Sequence, residues 1–131
     1  MVLDPKSIDT VVASNLHADI LTDLAASLSG SMGIAPTANL DPDKRYPSMF
    51  EPIHGSAFDI MGKGIANPIG SYWSAVLMLE NLGELQAAQK LMFAIEKLTE
   101  DKKFLPKDLG GKSTTKQITK AMIDIISGKN N

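Results

Sequence analysis

Residues 50–68 read FEPIHGSAFDIMGKGIANP, a stretch that mixes glycine with polar side chains and shows little apolar periodicity. Its three glycines are Gly55, Gly62 and Gly64. Because glycine has no Cβ, it lets the backbone approach a ligand closely or adopt a positive φ. Pro52 and Pro68 bracket the stretch and disfavour a helix running through it. We therefore predict a long ordered loop, which is either a ligand-binding loop or a plain surface connection.

Composition limits the classes of protein to which the chain can belong. Its 131 residues are about one domain in length, and 44% hydrophobic with 21% charged residues is typical of a globular protein. The 15 acidic and 13 basic residues give a net charge of −2, which offers no electrostatic case for a nucleic-acid partner. The absence of cysteine excludes disulfides and thiolate metal sites.

The amino-terminal residues and the apolar runs bear on cellular location. The first ten residues, MVLDPKSIDT, lack the basic and apolar regions of a signal peptide. No apolar run is long enough to cross a bilayer. The expectation is therefore a soluble cytoplasmic protein with no membrane partner.

The first part of the chain is predicted to contain a strand and a helix. Residues 8–14, IDTVVAS, are rich in β-branched side chains and are predicted to form a buried strand. Asn15 is predicted to be the N-cap of a helix over residues 16–28. Apolar residues at helical spacing in this helix are Leu16, Ile20, Leu24 and Leu28. Residues 34–40 are predicted to be extended.

Three further helices are predicted in the second half of the chain. The first two cover residues 68–82 and 84–98, and the last is capped by Thr114 or Thr115 and ends at Ile126. The residues predicted to face inward from the last two helices are Leu85, Ala88, Leu91, Met92, Ile95 and Leu98, followed by Ile118, Ala121, Met122 and Ile125. The chain as a whole shows no internal repeat and no domain boundary.

The predicted fold class is α/β. Residues 8–14 and 50–53 are expected to be internal strands of a sheet, and the helices over residues 68–82 and 84–98 are expected to cover one face of it. If such a partial sheet is isolated, its edge strands and apolar helix faces are exposed, so we expect the chain to dimerise or aggregate.

Asp19 and Asp23 are four residues apart in the first predicted helix, so their carboxylates share a face about one turn apart. Two carboxylates with waters and substrate oxygens suit Mg²⁺ or Mn²⁺, although the same spacing also fits a solvated acidic face. His17 precedes the pair and could be a third ligand or an acid–base group. Because imidazole is not a preferred Mg²⁺ ligand, a packed histidine is the better interpretation.

Three stretches together resemble one protein family. SNLHADILTD at residues 14–23, the stretch at residues 50–68, and DLGGKSTTKQ at residues 108–117 occur in this order. They are similar to the carboxyl-terminal part of the metal-dependent decarboxylating dehydrogenases, the isocitrate and 3-isopropylmalate dehydrogenase superfamily. Within this superfamily, the sequences of the three stretches most resemble the tartrate/D-malate dehydrogenase branch. The resemblance covers residues 1–131 as a single segment and implies a partial isocitrate/isopropylmalate dehydrogenase-like fold, without a GxGxxG Rossmann turn.

The resemblance assigns a metal and a dinucleotide to particular residues. Asp19 and Asp23 match the helix carboxylates that bind Mn²⁺ or Mg²⁺. Positions that match the dinucleotide contacts are Glu51, His54, Gly55, Ser56, Ala57, Asp59 and Asn67. Among these, His54 and Asn67 match contacts to the adenine, and Asp59 matches the acidic residue on the adenosine ribose. Since a carboxylate accepts from both ribose hydroxyls but repels a 2′-phosphate, NAD is the expected cofactor.

The resemblance also implies what the chain lacks. Family members are far longer, and the arginines that grip the substrate and the groups that transfer protons match no residues here, so no catalytic residue is expected in this chain. We expect the carboxyl-terminal segment of an NAD-dependent, Mn²⁺- or Mg²⁺-dependent dehydrogenase of a small 2-hydroxy dicarboxylic acid, homodimeric when intact and inactive as this chain alone. The alternatives are a 3-isopropylmalate dehydrogenase segment and a non-catalytic nucleotide-binding or oligomerisation remnant. Phe58 departs from the proline found in many relatives.

Overall fold

A computed structural model describes residues 1–129 of the chain. These residues form four α-helices and two β-strands: α1 (Asn15–Leu28), β1 (Pro36–Asn39), β2 (Met49–Pro52), α2 (Ile69–Asn81), α3 (Leu85–Glu100) and α4 (Thr115–Ile126). Short 3-10 turns lie at Pro5–Ser7, Met32–Ile34, Lys102–Phe104 and Lys107–Leu109. Within residues 1–129, no helix has the length and apolar character that a membrane span requires.

The sheet consists of β1 and β2 alone in the described part of the chain. The two strands are antiparallel, with Thr37 opposite Glu51 and Ala38 opposite Phe50. Helix α2 packs across both strands, and α3 packs mainly against α2 and α4. The result is a small sheet covered by α2, with the α3–α4 layer beyond it.

The hydrophobic core lies between α2, α3 and α4. Its buried residues are Ile69, Val76, Ala88, Ala94, Ile95, Leu98, Ile118, Ala121 and Met122. The predicted inward faces of α3 and α4 are confirmed, except that Leu85 at the start of α3 is largely exposed. A capping box begins α4, because the Thr114 side chain accepts from the Gln117 N–H while Gln117 accepts from the Thr114 N–H.

The predicted strand at residues 8–14 is wrong. This segment is irregular, and Val11 and Val12 are 50% and 98% exposed. A strand needs a neighbour to satisfy its backbone N–H and C=O groups, and in residues 1–129 each of the two strands has only the other. The β-branched composition was therefore not sufficient to form a strand here.

Three smaller expectations are also corrected. A strand near residues 50–53 is confirmed as β2, but within residues 1–129 it has one neighbour and is not internal. Helix α3 forms an outer layer and does not share the face of the sheet that α2 covers. The N-cap of α1 is Ser14 rather than Asn15, and its hydroxyl is hydrogen-bonded to His17 Nδ1 at 2.8 Å instead of capping a backbone N–H.

The apolar face predicted for α1 is present but uncovered. Its members Leu16, Ile20, Leu24 and Leu28 are between 39% and 67% exposed. Within α1 only Ala26 is buried, and the helix makes its main contact with the Met32–Ile34 turn. The apolar surface of this helix therefore has no partner in the described residues.

Candidate functional site

The carboxylates of Asp19 and Asp23 lie on the exposed surface of α1, one turn apart. The Asp19 side chain has one long contact, 3.5 Å from Asn15 Nδ2, and neither carboxylate forms an ion pair within residues 1–129. The same part of the chain contains no group of three or more metal-ligating side chains. The pair therefore fits part of an oxygen-rich octahedral shell, which further oxygen ligands would have to complete.

His17, the other candidate near this pair, is exposed. Its Nδ1 is engaged with Ser14 at 2.8 Å, across the first turn of α1. The hydrogen bond fixes the imidazole beside the helix start. Its partner is Ser14, and no hydrogen bond joins it to Asp19 or Asp23 in the described chain.

From residue 53 to residue 68, between the end of β2 and the start of α2, the glycine-rich stretch is a loop, as predicted. The Ile53 N–H donates to the Ala35 carbonyl at 3.1 Å and fixes the point at which the loop leaves the sheet. The next residues form successive turns, in which the Ile60 N–H donates to Ala57 O at 3.0 Å and the Lys63 N–H to Ile60 O at 3.1 Å. Ala57 has a φ of 42°, a conformation that costs a non-glycine residue free energy and tends to occur at functional loops.

The far end of the loop is attached to α4. The Thr115 N–H donates to the Gly64 carbonyl at 2.9 Å, and the Thr115 hydroxyl donates to the Ala66 carbonyl at 2.5 Å. Thr115 belongs to the third stretch, so two of the three family-like stretches meet here. The loop is therefore attached to the rest of the fold at both ends, and within residues 1–129 its middle part forms hydrogen bonds to near neighbours.

His54, at the start of the loop, has an orphaned nitrogen. Its Nδ1 is 3.3 Å from the Gly55 carbonyl, while Nε2 is buried and has no hydrogen-bond partner within residues 1–129. If Nδ1 donates to that carbonyl, a neutral ring presents Nε2 as an acceptor. A buried acceptor without a donor is costly unless a ligand supplies one, so this nitrogen fits a site for a group with N–H or O–H donors.

The other candidate dinucleotide residues on the loop are open to solvent. Glu51, Gly55, Ser56, Ala57 and Asp59 are all exposed. The Asp59 carboxylate has no hydrogen bond or ion pair in the described residues, so both oxygens are available to hydroxyl donors. These residues are therefore accessible to a ligand, and they lie close to His54 in the chain.

Asn67 differs, because both ends of its amide are already used. Nδ2 donates to Asp108 Oδ2 at 2.9 Å, and Oδ1 accepts from the Ile69 N–H at 2.9 Å. Asp108 also accepts from the Ser31 hydroxyl. The sequence interpretation missed Ser31 and Asp108. Asp108 lies in the DLGGKSTTKQ stretch that carried the resemblance, and this was the signal available for it.

Comparisons with known proteins identify a family and several relatives of this chain. The family described as isocitrate/isopropylmalate dehydrogenase matches residues 1–126. A probable tartrate dehydrogenase/decarboxylase of Agrobacterium vitis is 60% identical over 99% of the chain, and a D-malate dehydrogenase (decarboxylating) of Escherichia coli is 46% identical over 95%. The chain spans about 36% of the length of both relatives.

A solved structure supports the fold independently. The crystal structure of an isocitrate dehydrogenase from Methylococcus capsulatus superposes with a TM-score of 0.88 and 38% identity, over 99% of this chain and 38% of that one. The resemblance seen in three sequence stretches is thereby confirmed, with tartrate and D-malate dehydrogenases among the similar proteins. With a match that extends over residues 1–126 of 131, the chain belongs to the isocitrate/isopropylmalate dehydrogenase family.

Proposed function

We propose that this chain forms the cofactor- and metal-binding part of an NAD-dependent dehydrogenase that oxidises a small 2-hydroxy dicarboxylic acid of the tartrate or D-malate type. The names and identities of its relatives support this substrate class. The observation that carries the cofactor assignment is the anchored loop, which contains both an exposed Asp59 and a His54 whose buried Nε2 has no partner within residues 1–129. Because the chain spans about 36% of those relatives, we propose that it is inactive alone.

The proposed roles of the residues follow from their chemistry. Asp19 and Asp23 would hold Mn²⁺ or Mg²⁺, and the bound metal would act as a Lewis acid on substrate oxygens. His54 would accept a hydrogen bond from the adenine end of the dinucleotide, and the glycine-rich backbone would lie along it. Asp59 would accept from the ribose hydroxyls. The intact enzyme would require proton-transfer groups and substrate-binding arginines from outside this chain.

Asp59 is the first residue to test, since it is proposed to set both affinity and cofactor choice. We expect Asp59→Ala to weaken NAD⁺ binding about tenfold to a hundredfold, because hydrogen bonds to a charged acceptor contribute roughly 1.5–3 kcal/mol. We expect Asp59→Lys to favour NADP⁺ over NAD⁺, since an ammonium group attracts the 2′-phosphate. Calorimetric titration of the chain with both dinucleotides measures these changes.

The matched control is Asp43→Ala, which removes an exposed loop carboxylate that forms an ion pair with Arg45 at 3.0 Å. It should bind NAD⁺ like the unmodified chain. Equal NAD⁺ affinity for Asp59→Ala and the control would remove Asp59 from the site. No saturable NAD⁺ binding by the unmodified chain would contradict the proposed cofactor site on this chain.

We also propose that the chain self-associates as a homodimer, through the uncovered face of α1. Support comes from the exposure of Ile20 and Leu24, at 58% and 39%, on a helix that has little packing of its own. Burying apolar surface is favourable by roughly 25 cal/mol per Å², so two such faces should associate. The replacement of both residues by glutamine is expected to shift the chain toward monomer in sedimentation velocity.

A second pair of exposed leucines provides the control for self-association. Leu82 and Leu85, which are 64% and 58% exposed, flank the turn between α2 and α3. Their replacement by glutamine removes similar apolar surface elsewhere and should leave the association unchanged. A monomeric unmodified chain, or equal loss of association in both double variants, would contradict a specific α1 interface.

A further inference from the structure

Asp108 joins two segments that lie far from it in the chain. Its Oδ2 accepts hydrogen bonds from the Ser31 hydroxyl, 77 residues away, and from Asn67 Nδ2, 41 residues away and at 2.9 Å. Ser31 is a buried polar residue, only 8% exposed. A single carboxylate oxygen therefore holds the segment that follows α1 and the end of the glycine-rich loop.

Both partners of Asp108 are themselves bound to backbone. The Ser31 hydroxyl oxygen accepts from the Gly33 N–H at 2.9 Å, which caps the Met32–Ile34 turn. The Asn67 carbonyl oxygen accepts from the Ile69 N–H at 2.9 Å, at the first residue of α2. Ser31 and Asn67 thus each donate a hydrogen bond to Asp108 and accept one from a backbone N–H. A movement of the carboxylate would therefore disturb both backbone segments.

Steric contacts reinforce the same arrangement. A Cβ added to Gly33 would lie 2.6 Å from Asp108 Oδ2 and 3.0 Å from Asn67 Cβ, so it would displace the carboxylate and press on Asn67. The three segments are therefore in direct contact at this point, in addition to being hydrogen-bonded.

The loop between residues 54 and 63 depends on this attachment. Upstream it is fixed by the hydrogen bond from Ile53 to Ala35, and downstream by Thr115 and by Asn67. Between these anchors, the hydrogen bonds that these residues form within residues 1–129 are to near neighbours in turns. The position of Asn67 consequently helps to determine the position of residues 54–63, which include Asp59.

We propose that Asp108 is a positioning residue for the dinucleotide loop: it acts through Asn67 and Ser31 and does not touch the cofactor. This inference rests on the proposed function, namely that the loop binds NAD⁺. The attachment of the two segments by Asp108 does not depend on that proposed function. Because the role requires an acceptor and not a negative charge, an asparagine, whose Oδ1 can accept both hydrogen bonds, should largely replace the aspartate.

The experiment compares Asp108→Ala, Asp108→Asn and a control, Asp41→Ala, in the full chain. Asp41 is a matched carboxylate, because it accepts from the backbone N–H groups of Arg45 and Tyr46 at 2.8 Å in a different loop. Amide hydrogen exchange at Gly33 and Ile69 reports the two held segments, and calorimetric titration with NAD⁺ reports the site. We expect Asp108→Ala to lose exchange protection at both amides and to bind NAD⁺ about tenfold more weakly.

Asp108→Asn should retain exchange protection and bind NAD⁺ with an affinity within about threefold of that of the unmodified chain. Asp41→Ala should show the same protection as the unmodified chain at both amides. Unchanged protection at Gly33 and Ile69 in Asp108→Ala would overturn the inference, as would lost protection with unchanged NAD⁺ affinity. An asparagine variant as defective in NAD⁺ binding as the alanine one, with protection retained, would indicate direct contact of the charge with the ligand and overturn it as well. If the unmodified chain binds no NAD⁺, the proposed cofactor site fails first, and the exchange data still decide whether Asp108 holds the two segments.

Discussion

Replacement of Gly111 by alanine is expected to destabilise the chain by about 3 kcal/mol or more, an overpacking effect at the upper end of the usual range. A Cβ at this position would lie 1.9 Å from the Leu105 carbonyl oxygen and 2.4 Å from its carbonyl carbon. Both are backbone atoms, so a rotamer change cannot relieve the overlap. The Gly111 N–H also donates to Pro106 O at 2.8 Å, and any backbone shift would strain that bond. Urea-induced unfolding measures the change in the free energy of unfolding.

Two other glycines separate the causes of this effect. Gly110 has a φ of 80° but no atom within 4 Å of an added Cβ, so Gly110→Ala tests backbone conformation alone and should cost about 1–2 kcal/mol. Gly55 has neither a positive φ nor a close neighbour, so Gly55→Ala should change stability by less than about 0.5 kcal/mol. A Gly111→Ala variant as stable as Gly55→Ala would show that residues 105–111 can rearrange at little cost.

The parts of the fold that depend on local spacing were predictable from the sequence. Helices α3 and α4 place apolar residues every three or four positions, and Leu98 and Ile118 are buried as that spacing requires. The Thr114–Gln117 capping box also lies within four residues, and a cap at Thr114 or Thr115 was expected. In each case, the residues that determine the structure lie within or next to the helix itself.

The parts that depend on distant residues were not predictable in the same way. Val11 and Val12 favour a strand locally, but strand formation is decided by a neighbour, which residues 1–129 do not provide. The hydrogen bond between Ser31 and Asp108 spans 77 residues, and no short sequence window contains both partners. The resemblance to a family identified the three stretches, whereas the way in which Asp108 connects them required the structure.

Mn²⁺ binding is expected to weaken about a hundredfold in Asp23→Asn, which is the upper end of the range for residues that only orient metal ligands. Asp19 and Asp23 are exposed on α1 and form no ion pair in the part of the chain that the structure describes, and one carboxylate with waters is a poor Mn²⁺ site. Without metal, the variant should be as stable as the unmodified chain or more stable by a few tenths of a kcal/mol (~0.2–0.5), because two like charges at i, i+4 repel.

Thermal or urea unfolding in the presence and absence of Mn²⁺ tests both effects in one experiment. At a Mn²⁺ concentration one hundred times its Kd, ligand linkage should stabilise the unmodified chain by about 2.7 kcal/mol. The same concentration should stabilise Asp23→Asn by only about 0.4 kcal/mol if its Kd is about a hundredfold higher. Asp124→Asn, a change to a carboxylate on α4, is the control and should respond to Mn²⁺ like the unmodified chain. Equal stabilisation of Asp23→Asn would place any bound metal elsewhere, and no Mn²⁺ effect on the unmodified chain would mean that two carboxylates on α1 do not form a metal site without ligands from outside this chain.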